Sequence, residues 1–238
     1  MEFLTVTQEL LHGFGITCLL FAMTLVLAIP LGLLFSFCSM SKLKVIKAPT
    51  KVFIWIIRGI PLMLFIFVIY YLPSLLADGN SSVNIFNTID LKMTIAMGSN
   101  ELLWQGRFLA VLIAFVINYA CYFSEIFRGG IESVSQGQYE AGYVLGMSKS
   151  QVFFKVVLKQ VVKRIVPALS NEIITLVKDT ALANAIAIPE LIKCAKDMAA
   201  TQALIWPLFY TAVFYLLFVG LVTILLGRVE KKLSYFKA

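Results

Sequence analysis

The chain has 238 residues, of which 60% are hydrophobic and only 14% charged, with a formal net charge of +7 and a mean hydropathy of +0.90. Roughly a quarter of the residues in a soluble globular domain are charged, so this composition excludes an ordinary water-soluble domain and points to a bilayer. No glycine/serine-rich or charge-rich linker divides the chain, which predicts a single membrane domain over residues 1–238.

A membrane helix needs about 20 mostly apolar residues. The charge-free run between His12 and Lys42 predicts a first span over 13–38, and that between Gly59 and Ala77 a second over 59–77. The run from Phe108 to Ser124 predicts a third over 105–127, and the run between Met198 and Gly227 a last one over 203–227. Between these lies a weaker candidate over 155–178, interrupted by Glu172 and preceded by Lys155, Lys159, Lys163 and Arg164. Hydropathy alone supports four spans; the fifth comes from the family resemblance described below.

Five crossings place fifteen of the twenty basic residues on one side: Lys42 to Arg58, Arg128 to Arg164 and Arg228 to Lys237. The excess of Lys and Arg marks the cytoplasm, so the amino terminus is expected outside and the carboxyl terminus inside. The cations are dispersed around spans, which suits anionic lipid and argues against nucleic acid. No Lys or Arg precedes the first apolar run, which is longer than a signal-peptide core, so that run is expected to stay attached. Cys18, Cys38, Cys121 and Cys194 lack metal-ligand spacing and read as small buried hydrophobes. The sole histidine, His12, the absence of a carboxylate cluster and the lack of a G-x-x-x-x-G-K-[ST] loop predict no catalytic site, no metal, no cofactor and no ATP hydrolysis by this chain.

The segment from Gly137 to Gln160 is charged, helix-compatible and set between apolar spans, with a cytoplasmic loop expected over about 137–152. Its Glu140, Ala141, Gly142, Gly146, Val156 and Leu158 resemble the cytoplasmic loop of ABC importer permeases, Glu-Ala-Ala, three residues, Gly, nine residues, Ile-x-Leu-Pro. Two positions depart: Gly142 replaces the second alanine, and Lys159 stands where proline is expected. Glycine still allows close approach of a partner backbone, and loss of the proline ring predicts a straighter exit into the next span. The resemblance makes this loop the docking surface of a separate ATPase subunit.

Three further stretches resemble the polar amino-acid permeases of the same superfamily. Phe53 to Pro73 contains Arg58, Gly59, Ile60, Pro61 and Leu62, close to an Arg-Gly-Thr-Pro-Leu segment. Pro61 suits a first helical turn and Arg58 a cytoplasmic headgroup position. Tyr122 to Gln138 resembles Ser-Glu-Ile-x-Arg-Gly-Gly-Ile, with Glu125 and Arg128 spaced to pair on one helix face. Pro167 to Leu182 resembles the Asn-Glu…Leu-x-Lys-Asp-Thr signature, with Asn171, Glu172, Lys178, Asp179 and Thr180. There Lys178 and Asp179 are expected to satisfy one another at an outer helix end, and Ile188 to Ala199 to form a gate-flanking outer surface helix.

The resemblance implies an all-α permease with five transmembrane helices in the bacterial plasma membrane. Its implied partners are an ABC ATPase subunit, an extracytoplasmic solute-binding protein docking near 78–101 and 180–202, a second permease subunit and a polar amino-acid substrate. A permease for methionine, phosphonate or an osmolyte is the nearer alternative, and a secondary transporter the more distant one. An ionisable residue within an apolar span costs about 2.5–3.5 kcal/mol on insertion scales. Glu172 is therefore expected to face the bundle interior, either in a salt bridge or hydrogen bond or, with Asn171, on the substrate pathway.

Overall fold

The chain was described with a computed structural model covering residues 3–76, 86 and 106–233. All regular structure among the described residues is helical. The first helix, α1 (Phe3–Met40), has 38 residues and so begins ten residues before its expected span at 13. At 1.5 Å per residue it is roughly 57 Å long, well beyond the bilayer core. Its inner part packs along α4 (Gly106–Glu132). A Cβ on Gly32 would stand 2.8 Å from the Ala120 carbonyl oxygen, so only glycine allows this approach.

Between these lie α2 (Lys44–Gly59) and α3 (Leu62–Leu76), bent by 108°. Ile60 is extended, at φ −95° and ψ 130°, and Pro61 ahead of α3 offers its carbonyl to the Phe65 N–H at 3.0 Å. Proline has no N–H to lose at a helix start and disfavours helix in the residue before it. The expected span over 59–77 is thus α3 alone, 15 residues and roughly 22 Å long, with α2 lying at a steep angle to it.

After α4 come α5 (Gln136–Val144), a single turn (Lys149–Gln151), a π-helical segment (Val152–Val157) and α6 (Leu158–Asp179). A 3₁₀ segment (Thr180–Ile186) and left-handed Ala187, φ 61°, lead to α7 (Leu191–Gln202), and α8 (Trp206–Leu233) ends the described chain. Among the described residues three helices, α1, α4 and α8, are long and apolar enough to cross a membrane, and the bent α2–α3 pair adds at most a fourth. Lys159, Lys163, Arg164, Glu172, Lys178 and Asp179 keep α6 out of that group.

Where α6 ends corrects an expectation. Tyr119, the midpoint of α4, donates a hydrogen bond to Asp179 at 2.7 Å. Asp179 therefore lies at mid-height of the bundle, not at an outer helix end paired with Lys178. The chain covers the remaining height through α7, which returns along the first turns of α1. Leu191, Ala195 and Met198 pack on Val6 and Leu10, the Leu191 N–H donates to Thr17 Oγ1 at 3.3 Å, and Phe3 stacks on Trp206 with centroids 5.8 Å apart. The 3₁₀ segment and the start of α7 are consequently buried at Thr180, Ala183, Ile186 and Leu191, so the outer docking face expected over 180–202 shrinks to the exposed side of α7; residues 78–85 and 87–101 lie outside the described residues. Of the cysteines, Cys121 is buried as expected, whereas Cys18, Cys38 and Cys194 are half-buried; all four are free.

Candidate transport and coupling sites

A cavity of about 530 Å³ opens between the α2–α3 bend, α4 and α6. Into it α4 presents Asn118, Tyr119 and Tyr122, and α6 presents Glu172, Thr175 and Asp179. The spacings i, i+1, i+4 and i, i+3, i+7 put each set within one side of its helix. The bend contributes Arg58, Gly59, Ile60 and Pro61. Buried apolar residues flank each polar set and anchor the helices, Ala114, Phe115, Ala120 and Phe123 on α4 and Ile173, Leu176 and Val177 on α6.

The charges are held in place. Arg58 lies with its guanidinium carbon 5.1 Å from the Tyr122 ring centroid and Nη1 3.8 Å from Glu125 Oε2. It is thus held by a cation–π contact and an ion pair while its side chain stays 40% exposed. Glu125 and Arg128 form the pair expected from their spacing: Nη2 donates to Oε2 at 2.6 Å and Nε to Oε1 at 3.1 Å. Arg128 Nη1 also reaches Glu132 at 2.5 Å. Glu172 is half-buried and, among the described residues, makes neither an ion pair nor a side-chain hydrogen bond. Tyr119 is 1% exposed, so its hydroxyl fixes Asp179 from within the core.

Other expected partners are not brought together. Asn171 is exposed and absent from the cavity wall; its carbonyl accepts the Thr175 hydroxyl at 3.0 Å. One residue along a helix turns the side chain by about 100°, which separates Asn171 from Glu172. Lys178 is exposed and lies off the cavity for the same reason. Thr180 is buried and donates to the Val177 carbonyl at 2.6 Å, closing the last turn of α6. Asn118, Tyr119 and Tyr122 were missed by sequence reasoning. Their signal, polar side chains on one face of a charge-free span, was present.

The segment resembling the docking loop forms a separate surface. Glu140, Ala141 and Gly146 are exposed. Gly146 ends α5 in the left-handed conformation, φ 74°, where its N–H donates to the Tyr143 carbonyl at 2.9 Å and the Met147 N–H to the Gly142 carbonyl at 3.0 Å. Ser148 and Gln151 then restart the helix with a reciprocal capping box. Gly142 is buried, and a Cβ there would stand 2.6 Å from Val152 Cγ2. Its small size serves contact with this chain's own π-helical segment, which corrects the expectation that it admits a partner backbone. Tyr143, Val144, Leu145 and Phe154 are exposed beside Glu140, with Val144 at 87%. Such an apolar patch on a polar loop marks an interaction surface.

This surface is wired to the cavity helix. Gln160 Nε2 donates to Gln138 Oε1 at 2.9 Å, and Arg164 binds the Ser133 carbonyl and, at 3.0 Å, the Ser133 hydroxyl. The helical path runs unbroken through Lys159 from Lys149 to Asp179, so one continuous helix joins the side of α5 to Glu172 and Asp179.

A family model described as the inner membrane component of binding-protein-dependent transport systems matches residues 28–235. The chain belongs to that family. It is a multi-pass membrane subunit of a bacterial ABC transporter and not itself an enzyme, the ATPase being a separate subunit. It is 31% identical over 229 residues to the arginine ABC transporter permease protein ArtQ of Escherichia coli, covering 94% of each chain. It is 36% identical over 172 residues to the L-cystine transport system permease protein TcyB of Bacillus subtilis, covering 71% of this chain and 62% of that one. A solved amino acid ABC transporter structure matches 98% of this chain and 99% of its own, at 27% identity and a TM-score of 0.76. A methionine ABC transporter, MetNI, matches at 15% identity and a TM-score of 0.65, a likeness of fold alone.

Proposed function

We propose that the chain imports a polar amino acid, and that the central cavity is where the amino acid is held on its way through. One observation carries this: a guanidinium, Arg58, and two carboxylates, Glu172 and Asp179, share a single cavity. An amino acid is a zwitterion, and this pairing offers a cation to its carboxylate and an anion to its ammonium or to a cationic side chain. Relatives named for arginine and L-cystine support the same substrate class.

In this reading five crossings traverse the membrane, with the broken α6–α7 path as the fourth and the amino terminus outside. Two permease subunits face one another around the route, an extracytoplasmic binding protein delivers the solute, and an ATPase subunit docks at Glu140, Ala141 and Gly146. Closure of the ATPase pair on ATP moves α5, the bonded α6 follows, and access to the cavity alternates. Glu172, held by no ion pair or side-chain hydrogen bond among the described residues, is the carboxylate offered to substrate. Asp179, already bonded to Tyr119, sets the cavity's shape and charge.

Uptake of a labelled amino acid into proteoliposomes holding the complete transporter, challenged with each unlabelled amino acid, tests the substrate class. Competition by polar or cationic amino acids is expected, and competition by methionine, a phosphonate or an osmolyte alone would refute it. Orientation has its own check. With the native cysteines removed, Asp197→Cys on the exposed side of α7 is expected to react with an impermeant thiol reagent in intact cells, and Lys149→Cys to stay unlabelled. Labelling of Lys149→Cys would reverse the topology.

A further inference from the structure

The helix α2 combines three faces that a simple span does not need. Taking about 100° per residue, Lys44, Lys47, Lys51 and Arg58 fall within an arc of roughly 60°. Val45, Val52, Phe53 and Ile56 form a second arc on nearly the opposite side. Ile54 and Ile57, the buried residues of α2, lie on one flank between the two, against α1 and α4. The apolar arc is uncovered, with Val45 at 86% and Val52 at 54% exposure, and Trp55, at 75%, sits on the border between the arcs. The helix has no Asp or Glu.

We propose that α2 lies in the plane of the cytoplasmic leaflet and binds anionic lipid headgroups through Lys44, Lys47 and Lys51. Its 108° bend from α3 supplies the geometry: if α3 enters the bilayer, α2 runs along the surface. Its apolar arc then rests on acyl chains, its lysines point to phosphates, its buried flank leans on the bundle and Trp55 takes the headgroup boundary where tryptophan is enriched. Charge decides the occupant. A surface of lysines without acids complements the negative cytoplasmic leaflet, whereas a protein partner on the apolar arc gives no reason for a cationic stripe on the far side. The α2–α3 bend places Arg58 in the cavity wall, so lipid held by α2 bears on the position of that guanidinium.

The test uses the complete transporter in nanodiscs, with Trp104→Phe and Trp206→Phe leaving Trp55 as the chain's one tryptophan and with partner tryptophans removed in the same way. Quenching of Trp55 by lipids labelled near the headgroup is expected to exceed quenching by lipids labelled near the chain end. The triple variant Lys44→Gln, Lys47→Gln, Lys51→Gln is expected to lower the preference for phosphatidylglycerol over phosphatidylcholine by at least about tenfold, on the scale of one surface cation's contribution multiplied by three. None of these lysines lines the cavity or the coupling surface, so uptake chemistry in saturating anionic lipid stays intact. Stronger quenching from the chain ends would make α2 a span and overturn the proposal. Absence of lipid quenching would place a second subunit on the apolar arc and overturn it equally, as would an unchanged lipid preference in the triple variant.

Discussion

The helices α6 and α8 run through the same bundle under opposite rules. Along the 28 residues of α8 only Pro207, Thr211 and Val222 are buried, and its Leu216, Leu217, Leu221 and Ile224 are exposed. In α6, Val161, Ile165, Ile173, Leu176 and Val177 are buried while Glu172 and Asp179 turn to the cavity. A helix facing hydrocarbon must be apolar over its whole free surface, because no water is present to solvate a polar group. A helix lining a cavity carries ionisable groups on one face and needs apolar residues only where it packs. Low hydropathy in α6 therefore goes with the polar face that it turns to the cavity.

The sharpest way to break this contrast is at Glu172. Hydrogen bonds to charged groups are worth about 1.5–3 kcal/mol, so Glu172→Gln is expected to weaken apparent substrate affinity by roughly 10- to 150-fold while assembly and basal ATPase rate stay unchanged. Unchanged affinity, or failure to assemble, would return Glu172 to the scaffold. Glu140→Lys, on α5 beside the start of that helical path, is expected to cut retention of the ATPase subunit in detergent pull-downs by about tenfold, the scale of 1.4 kcal/mol. Gly146→Leu, forced into a left-handed conformation that costs about 1–3 kcal/mol, is expected to act in the same direction. Full retention in both would separate the loop from docking.

A smaller effect is expected at Tyr119. The Phe variant leaves Asp179 without its hydrogen-bond donor, which costs about 1–3 kcal/mol for a buried group and lowers the unfolding temperature by several degrees at roughly 2–4 °C per kcal/mol. A thermal scan showing no shift would deny the bond a structural role. The smallest effect belongs to α8: Leu217→Ala and Leu221→Ala are expected to change uptake less than about twofold, within the ±0.5 kcal/mol usual for surface sites. A tenfold loss would show that this face meets the second subunit and not lipid.

The loop of α5 was legible as a separate exposed segment because Glu140 to Leu158 is one contiguous stretch whose spacing survives in any fold. Glu172 was legible because its charge in an apolar run demands an interior. Asn171 was misjudged with it, since a sequence neighbour on a helix lies on a different face. Gly142 was misjudged because the Val152 side chain that excludes a Cβ is reached only after the chain turns back on itself.

The amino-acid sequence by itself determined the solvent, the helical class, the polar loop between apolar helices and the presence of a charged group at the cavity, because these follow from composition and local spacing. Only the tertiary structure decided that α6 stops halfway at Tyr119, that Arg58 reaches Tyr122 and Glu125 beside the 108° bend and that both meet the polar face of α4. Hydropathy records how far a helix can go through hydrocarbon; it carries no information on where the chain breaks or which distant side chain waits at the break, since those contacts join residues as far apart as Tyr119 and Asp179.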